Sequence, residues 1–394
     1  MFWRKKRTYL DAAAGVSGPS PRRSWLRPRG GGNPSSPHKE GRRSREILEG
    51  ARTTIARLLE VQSDDVIFTS GATEANALAI LGSLRAGRTK DQAPRTKHAL
   101  YLPSAHASVV ENMKALKEEG IDVEELPIRT TNVDIEKLAE MIRPETALVS
   151  MDAVCGETGV VWNTREVASA LREPSRAKRG IVLHVDASQA PLTEKVTRAH
   201  FGADMLTLDA SKISTTRGIG VLVAHRTIPI APLYRGGGQE RGLRPGSEVP
   251  KLAERFAAAL CAAAQGRDSF RARAERDRMS LMSLIGPIPR ILINEGPSTH
   301  GQVPHIVNLS LPARDTDYLA ALLDEAGFAV STRSACETDS QEGSRAVFAL
   351  TGDRERARAT LRISWGPGVQ PRELANVAKE LARAVAFIDS SSRR

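Results

Sequence analysis

The sequence reads IVLHVDASQ at residues 181–189 and MLTLDASK at residues 205–212. Each stretch starts with a mostly apolar run and ends in a carboxylate that is followed by small residues. Runs that are apolar throughout, instead of alternating with polar residues, are typical of strands buried on both faces of a sheet. The pattern predicts two buried strands of an α/β fold, each with polar side chains at its carboxyl end.

Similar short runs alternate with helical stretches through the first 250 residues. This alternation favours an α/β fold with a mainly parallel sheet and helices on both faces. Beyond Pro250 the pattern changes to one long helix, shorter strands and a final helix, which is typical of a smaller α+β unit. The strands predicted before Pro250 span residues 66–69, 99–103, 123–127, 147–151, 181–186, 205–208 and 220–224, and one of the helices predicted between them spans residues 74–84.

The chain has 394 residues, which is more than one ordinary hydrophobic core supports. We therefore predict a large, cofactor-binding domain over residues 15–260. Residues 1–14 and 261–394 are expected to form the smaller domain.

The composition, 40% hydrophobic and 26% charged, is that of a soluble globular protein. No apolar run approaches the roughly 18 residues that a transmembrane helix needs, so no membrane association is expected. The basic residues 1–7 are not followed by the apolar core of a signal peptide, and a cytoplasmic location is therefore expected.

The net charge of +11 is spread among acidic residues, and aromatic residues make up only 4% of the chain. No direct nucleic-acid site is evident, so a solvated basic surface is the simplest interpretation, with contact to RNA or to an acidic partner protein as the alternative. Cys155, Cys261 and Cys336 are too few and too scattered for a disulfide framework or a metal cluster.

Three strand ends carry residues suited to a ligand, because parallel sheets bind ligands at the carboxyl ends of their strands. Residues 70–74, Ser-Gly-Ala-Thr-Glu, offer backbone N–H groups to a phosphate, although Thr73 could simply cap a helix. Asp186 needs a cationic partner, either a protonated pyridine nitrogen or a structural arginine. Lys212 follows a strand and precedes glycine-containing turns, which fits a lysine that forms a Schiff base.

Together with further segments in the same order, these motifs resemble the cysteine desulfurases of the class-V aminotransferase group. The resemblance implies the fold type I architecture of pyridoxal-phosphate (PLP) enzymes, with PLP as cofactor. It also places the chain in the long-loop branch of that family. The matching segments are residues 9–11, 32–36, 68–74, 157–159, 184–187, 236–242, 334–336 and 361–364, so that nearly the whole chain is covered.

The resemblance also implies contacts to the cofactor ring. Lys212 would bind PLP covalently and later move protons at the substrate α-carbon. Asp186 would pair with the pyridinium nitrogen and keep the ring an electron sink. His106 would stack on the ring as a catalytic residue, with core packing as the alternative for this histidine. Gln189 would hydrogen-bond the phenolic oxygen.

The phosphate and the substrate would be bound by a second group of residues. Ala72 and Thr73 would hold the phosphate, helped by Ser247 reaching in from a neighbouring subunit of a homodimer. Ser211 can add a hydrogen bond to the cofactor. Arg362 would bind the carboxylate of L-cysteine with its two-pronged donor geometry.

Cys336 would be the nucleophile that takes the sulfur of L-cysteine, leaving a persulfide on the protein and releasing alanine. Residues 333–345 are almost entirely polar, which favours an exposed, mobile loop in which a thiol can ionise. The long interval between Cys336 and Arg362 implies direct transfer to an acceptor protein, either an iron–sulfur scaffold or a tRNA-thiolation enzyme.

The sequence departs from the family pattern near the cofactor. Gly156 stands where the family has an asparagine, while Asp209 and Ser211 replace a serine and a histidine that aid phosphate binding. An ionised Asp209 would repel a phosphate unless it turns away or pairs with a base such as Arg217. Residues 12–14 are also alanines, where the family has polar residues.

We favour a divergent but active enzyme, because the other predicted site residues are intact. Selenocysteine lyase, another class-V aminotransferase reaction and a catalytically degenerate binding or scaffold protein remain alternatives. Fold alone does not choose among them.

Overall fold

A computed structural model of the protein describes residues 7–14, 32–86, 97–173, 180–296, 301–332 and 343–391. Within these residues the chain forms four β-sheets, of which the largest has seven strands. The strands are β1 (Thr8–Tyr9), β2 (Val66–Thr69), β3 (His98–Tyr101), β4 (Asp122–Glu125), β5 (Ile128–Arg129), β6 (Asn132–Val133), β7 (Thr146–Asp152), β8 (Val182–Asp186), β9 (Met205–Asp209), β10 (Gly220–Ala224), β11 (Leu292–Ile293), β12 (Ile306–Ser310), β13 (Phe328–Ala329) and β14 (Thr360–Ser364).

The central sheet has the strand order β2-β10-β9-β8-β7-β3-β4. Its strands run parallel, except that β10 is antiparallel to both of its neighbours. This arrangement confirms the predicted fold class, and β2, β3 and β10 are buried along their whole length, as their apolar runs require. The register pairs Asp152 with Asp186 and Asp186 with Thr207, so the carboxyl ends of β7, β8 and β9 lie side by side.

Helices connect and cover these strands. The described part of the chain contains α1 (Lys39–Leu59), α2 (Ala72–Ala77), α3 (Ser83–Arg85), α4 (Ala107–Glu118), α5 (Ile135–Met141), α6 (Thr164–Leu171), α7 (Arg198–Phe201), α8 (Pro250–Ile285), α9 (Thr316–Glu325), α10 (Arg345–Thr351), α11 (Arg354–Arg358) and α12 (Pro371–Ser391). Within that part, no helix combines the length and the apolar character that a membrane span requires.

The predicted continuous helix over residues 74–84 is wrong in one respect. The structure interrupts it between α2 and α3 with a wider, π-helical turn, Leu78–Gly82. At this turn the carbonyl of Gly82 accepts a hydrogen bond from Ala231 N–H at 2.9 Å, and a Cβ on Gly82 would lie 2.7 Å from the Ala231 carbonyl oxygen. A neighbouring loop therefore packs against the helix backbone, which residue periodicity alone does not reveal.

Two hydrophobic cores lie along the chain. The first surrounds the central sheet, and the second joins the antiparallel sheet β11-β12-β14 to the C-terminal helix α12. Helix α8 contributes to both, because Phe256 and Leu260 belong to the first core whereas Ala263 and Phe270 belong to the second. The N-terminal strand β1 pairs in parallel with β13. The domain boundary near residue 260 stays a prediction.

Candidate active site

A cavity of about 100 Å³ lies at the carboxyl ends of β7 and β8 and opens to solvent. Four of the predicted site residues line it: His106, Gln189, Lys212 and Arg362. They come from regions that are far apart in the sequence. The fold therefore brings together an amine, an imidazole, an amide and a guanidinium around one space.

The main-chain carbonyl of Ala13, in the N-terminal segment, accepts hydrogen bonds from Lys212 and Gln189. Lys212 Nζ donates to the Ala13 carbonyl at 3.0 Å and lies 3.4 Å from the Ala14 carbonyl. Gln189 Nε2 donates to the same Ala13 carbonyl at 2.8 Å. Sequence reasoning missed Ala13, because a residue that acts through its main chain leaves no side-chain signal.

A chain of hydrogen bonds joins Asp186 to His106 behind the cavity. Asn76 Nδ2 donates to Asp186 Oδ2 at 2.7 Å and to Ser108 Oγ at 2.9 Å, and Ser108 Oγ lies 2.8 Å from His106 Nδ1. The other oxygen of Asp186 accepts the backbone N–H of Ser188 at 2.9 Å. Asp186 itself is buried and is not among the residues that line the cavity, but these bonds fix its carboxylate next to it.

His106 caps helix α4, since its Nδ1 accepts the backbone N–H of Ser108 at 3.1 Å. In the neutral ring this bond leaves the proton on Nε2. The residue is exposed, so the alternative of core packing is wrong. It is also one of the residues that line the cavity.

Arg362 lies in β14 and is almost completely buried. Its Nη1 donates to the Gly156 carbonyl at 3.0 Å, and its Nη2 pairs with Asp11 Oδ1 at 2.6 Å. The third group, Nε, is buried and has no acceptor. This guanidinium therefore keeps a buried N–H group that has no acceptor within the described residues.

Asp152 is a cavity residue that sequence reasoning missed. It ends β7 directly beside Asp186, and its Oδ1 is buried without a hydrogen-bond partner. Burial and the neighbouring charge of Asp186 raise the pKa of the Asp152 carboxyl well above its usual range, against a hydrogen bond from the His106 backbone. The rule that identified Asp186, a carboxylate at a strand end, could have identified Asp152 too.

Comparison with known proteins identifies the family. A family model described as aminotransferase class-V matches residues 27–377. The chain is 34% identical over 339 residues to cysteine desulfurase IscS 1 of Archaeoglobus fulgidus, covering 85% of each protein. It is 31% identical over 362 residues to the mitochondrial cysteine desulfurase of Saccharomyces cerevisiae, covering 91% of this chain and 70% of the relative.

The chain belongs to the cysteine desulfurase family of class-V aminotransferases. Solved structures agree with this assignment. A NifS-like protein superposes with a TM-score of 0.86 at 26% identity, and the match covers 97% of this chain and 100% of the other. The structure titled SspA in complex with cysteine has a TM-score of 0.73 at 25% identity and covers 91% of this chain and 99% of the other. The family resemblance predicted from the motifs is thereby confirmed.

One departure from the desulfurase pattern, Gly156, has a direct structural correlate. A Cβ at this position would lie 2.7 Å from Gln189 Nε2. The amide of Gln189 thus fills the space into which the family's asparagine side chain would extend. Gly156 and the position of Gln189 depend on each other. A larger residue at position 156 would clash with Gln189 unless the Gln189 side chain moved.

A second departure, Asp209, adopts neither of the expected arrangements. Its carboxylate does not turn away to pair with a base. Instead Oδ2 accepts the backbone N–H of Ala72 at 2.8 Å, and Oδ1 accepts that of Ser211 at 2.7 Å. One of the two backbone groups predicted to hold the cofactor phosphate is therefore bonded to a carboxylate of the protein.

Three further predicted residues, Thr73, Ser211 and Ser247, are not among the residues that line the cavity of this single chain. Thr73 is exposed in the first turn of α2, Ser211 lies in a short 3₁₀ turn before Lys212, and Ser247 is exposed in the segment before α8. Cys336 lies outside the described residues. The roles assigned to these four residues stay predictions.

The described residues on either side of Cys336 do lie at the site. Ser331 forms a bridge with Arg362, through hydrogen bonds of 3.2 Å and 2.6 Å between their backbones. On the other side, Arg345 and Ala346 at the start of α10 line the cavity. One described residue before the segment 333–342 therefore bonds to a cavity-lining arginine, and two described residues after it line the cavity.

Proposed function

We propose that this protein is a PLP-dependent cysteine desulfurase that converts L-cysteine to L-alanine and holds the sulfur as a persulfide on Cys336. The observation that carries the proposal is the convergence of Lys212, His106 and Arg362 on one cavity. Its relatives of 31–34% identity are cysteine desulfurases, which supports the same reaction. Ser331, before the segment that carries Cys336, bonds to Arg362, and Arg345, after that segment, lines the cavity.

The residues of the site fit PLP in most respects. The buried, unpartnered Oδ1 of Asp152 and the adjoining carboxylate of Asp186 provide acceptors at the strand ends, which suits a protonated pyridine nitrogen. Lys212 has its amine inside the cavity, where it can bind an aldehyde covalently. Bound PLP would supply an electron sink for bonds at the substrate α-carbon.

The protein groups would then divide the work on the substrate. Arg362, which lines the cavity, would bind the cysteine carboxylate while Asp11 and the Gly156 carbonyl hold its guanidinium in place. Lys212, positioned by the Ala13 carbonyl, would take and return the proton of the α-carbon. His106, whose imidazole is fixed by hydrogen bonds to Ser108, would hold the cofactor ring and the substrate in position relative to each other.

The sulfur step balances without an external oxidant. The Cys336 thiolate attacks the substrate sulfur, an S–S bond forms and the substrate C–S bond breaks with its electron pair staying on carbon. Protonation of that carbon completes the methyl group of alanine. One thiol and one cysteine therefore give one persulfide and one alanine.

Purified full-length protein given L-cysteine and a thiol reductant should release alanine and sulfide. Mass spectrometry before reduction should find one added sulfur on Cys336. Cys336→Ser should abolish sulfide release, whereas the matched control Cys261→Ser, a half-buried cysteine in helix α8, should keep it. Full sulfide output from Cys336→Ser would refute the persulfide mechanism.

We further propose a homodimer in which Ser247 of one subunit reaches the neighbouring site, and transfer of the sulfur to an acceptor protein. The exposure of Ser247 supports the first part. Light scattering of the full chain tests it, and a monomer that retains full activity would contradict it.

A further inference from the structure

The loop that begins α2 is bonded to carboxylates of the protein itself. Ala72 N–H donates to Asp209 Oδ2 at 2.8 Å, and Ser70 N–H donates to Glu74 Oε2 at 2.5 Å. Asp209 packs closely against the loop, because its Oδ2 would lie 3.2 Å from a Cβ on Gly71. Two backbone donors of the predicted phosphate loop are thus already satisfied by anionic side chains.

A phosphate cannot simply be added to this arrangement. A single N–H group donates one strong hydrogen bond, so the phosphate and Asp209 compete for the amide of Ala72. If both anions stayed, their charges would repel at close range in a partly buried site. A serine at position 209 would instead offer a hydroxyl donor and carry no charge.

We propose that Asp209 is an internal occupant of the phosphate position, which the phosphate of PLP has to displace. The inference rests on the proposed function, since it presumes that PLP is the cofactor. It follows that this chain holds PLP less tightly than its Asp209→Ser variant. It also follows that the native chain gains little from the phosphate group, so that pyridoxal without phosphate competes unusually well.

The test is a binding titration of the full-length protein after removal of bound cofactor. PLP and pyridoxal are titrated separately, and saturation is followed by cofactor absorbance and by protein fluorescence. The variants are Asp209→Ser and Asp209→Asn, because both residues can still accept the N–H of Ser211 and cap the following turn. Thermal unfolding of each variant verifies that it is folded.

Asp204→Asn is the matched control. Asp204 precedes β9 at the end opposite Asp209. Its carboxylate likewise accepts a backbone N–H, that of Leu183 at 2.8 Å, and pairs with Arg172 at 2.9 Å. Replacing it by asparagine removes one negative charge directly before the same strand and leaves the loop before α2 unchanged.

We expect Asp209→Ser and Asp209→Asn to bind PLP at least about tenfold more tightly than the native chain, which corresponds to one regained charge-assisted hydrogen bond. Their affinity for pyridoxal should stay within about twofold of the native value, and Asp204→Asn should change neither affinity. Equal or weaker PLP binding by both variants would overturn the inference, as would an equal gain for PLP and pyridoxal.

The outcomes separate this inference from the proposed function. If the native chain forms a PLP chromophore that Lys212→Ala abolishes, but Asp209→Ser binds PLP no better, only the inference fails. If neither the native chain nor Asp209→Ser forms such a chromophore, the proposed function fails and the inference fails with it. PLP binding by Asp209→Ser alone would support the inference but contradict the proposed function of the native chain.

Discussion

Arg52 has two carboxylate partners that differ in burial, which allows a quantitative prediction. Glu240 is almost fully buried, with 1% of its side chain exposed, and binds Arg52 Nη1 and Nη2 at 2.8 Å and 2.7 Å. Its Oε2 also accepts the backbone N–H of Phe68 at 2.8 Å. Glu49 pairs with Arg52 Nε at 3.1 Å, but 51% of its side chain is exposed.

Replacing Glu240 by glutamine should therefore cost far more than the same change at Glu49. Removing one charge of a buried, hydrogen-bonded pair leaves the other charge without its buried partner, which typically costs about 3–5 kcal/mol. An exposed pair contributes about 0–1 kcal/mol, because water screens it and the side chains lose entropy. Glu240→Gln should also loosen residues 236–247 from β2, since Glu240 is their tie to Phe68 and Arg52.

Urea unfolding of the two variants, followed by circular dichroism, measures both free energies of unfolding against the native protein. Glu49→Gln is the internal control, because it removes a partner of the same arginine. A loss below about 1 kcal/mol for Glu240→Gln, or equal losses for the two variants, would refute the reasoning that burial sets the strength of these pairs.

Three further predictions concern the cavity. Burial and the charge of Asp186 raise the pKa of Asp152, so the folded chain binds this proton more tightly than the unfolded chain, and the free energy of unfolding falls as the pH rises above the usual carboxyl range. Asp152→Asn should remove that decrease when urea unfolding is measured at several pH values. An unchanged pH profile of the variant would contradict the prediction. Arg362→Lys should raise the KM for cysteine roughly ten- to a hundredfold, since lysine lacks the planar, two-pronged donor geometry of a guanidinium, while the exposed control Arg383→Lys should leave the KM unchanged. An unchanged KM of Arg362→Lys in a steady-state alanine assay would exclude Arg362 as the residue that binds the substrate carboxylate. Gly156→Asn should lower the free energy of unfolding by about 1–3 kcal/mol because it displaces the Gln189 amide, and adding Gln189→Ala in the same chain should recover part of that loss. Full stability of Gly156→Asn in thermal or urea unfolding would show that Gln189 moves without penalty.

Much of the central sheet was predictable, because its signals are local. The runs that became β2 and β10 coincide with the predicted strands, and the others shift by one or two residues at their ends. Apolar runs and helical periodicity act within a few residues of the chain. The π-helical turn at Leu78–Gly82 was missed because its cause, the loop at Ala231, lies far away in the sequence.

The sequence by itself determined the fold class, the family and the presence of Lys212, Asp186, His106 and Arg362 at or near one site. Only the tertiary structure decided how these groups are held: Lys212 by the Ala13 carbonyl, Asp186 by Asn76, and Ala72 by Asp209. The physical reason is distance along the chain. These partners are separated by 110 to 199 residues, and such contacts arise from strand register and packing, which no local pattern of residue types encodes.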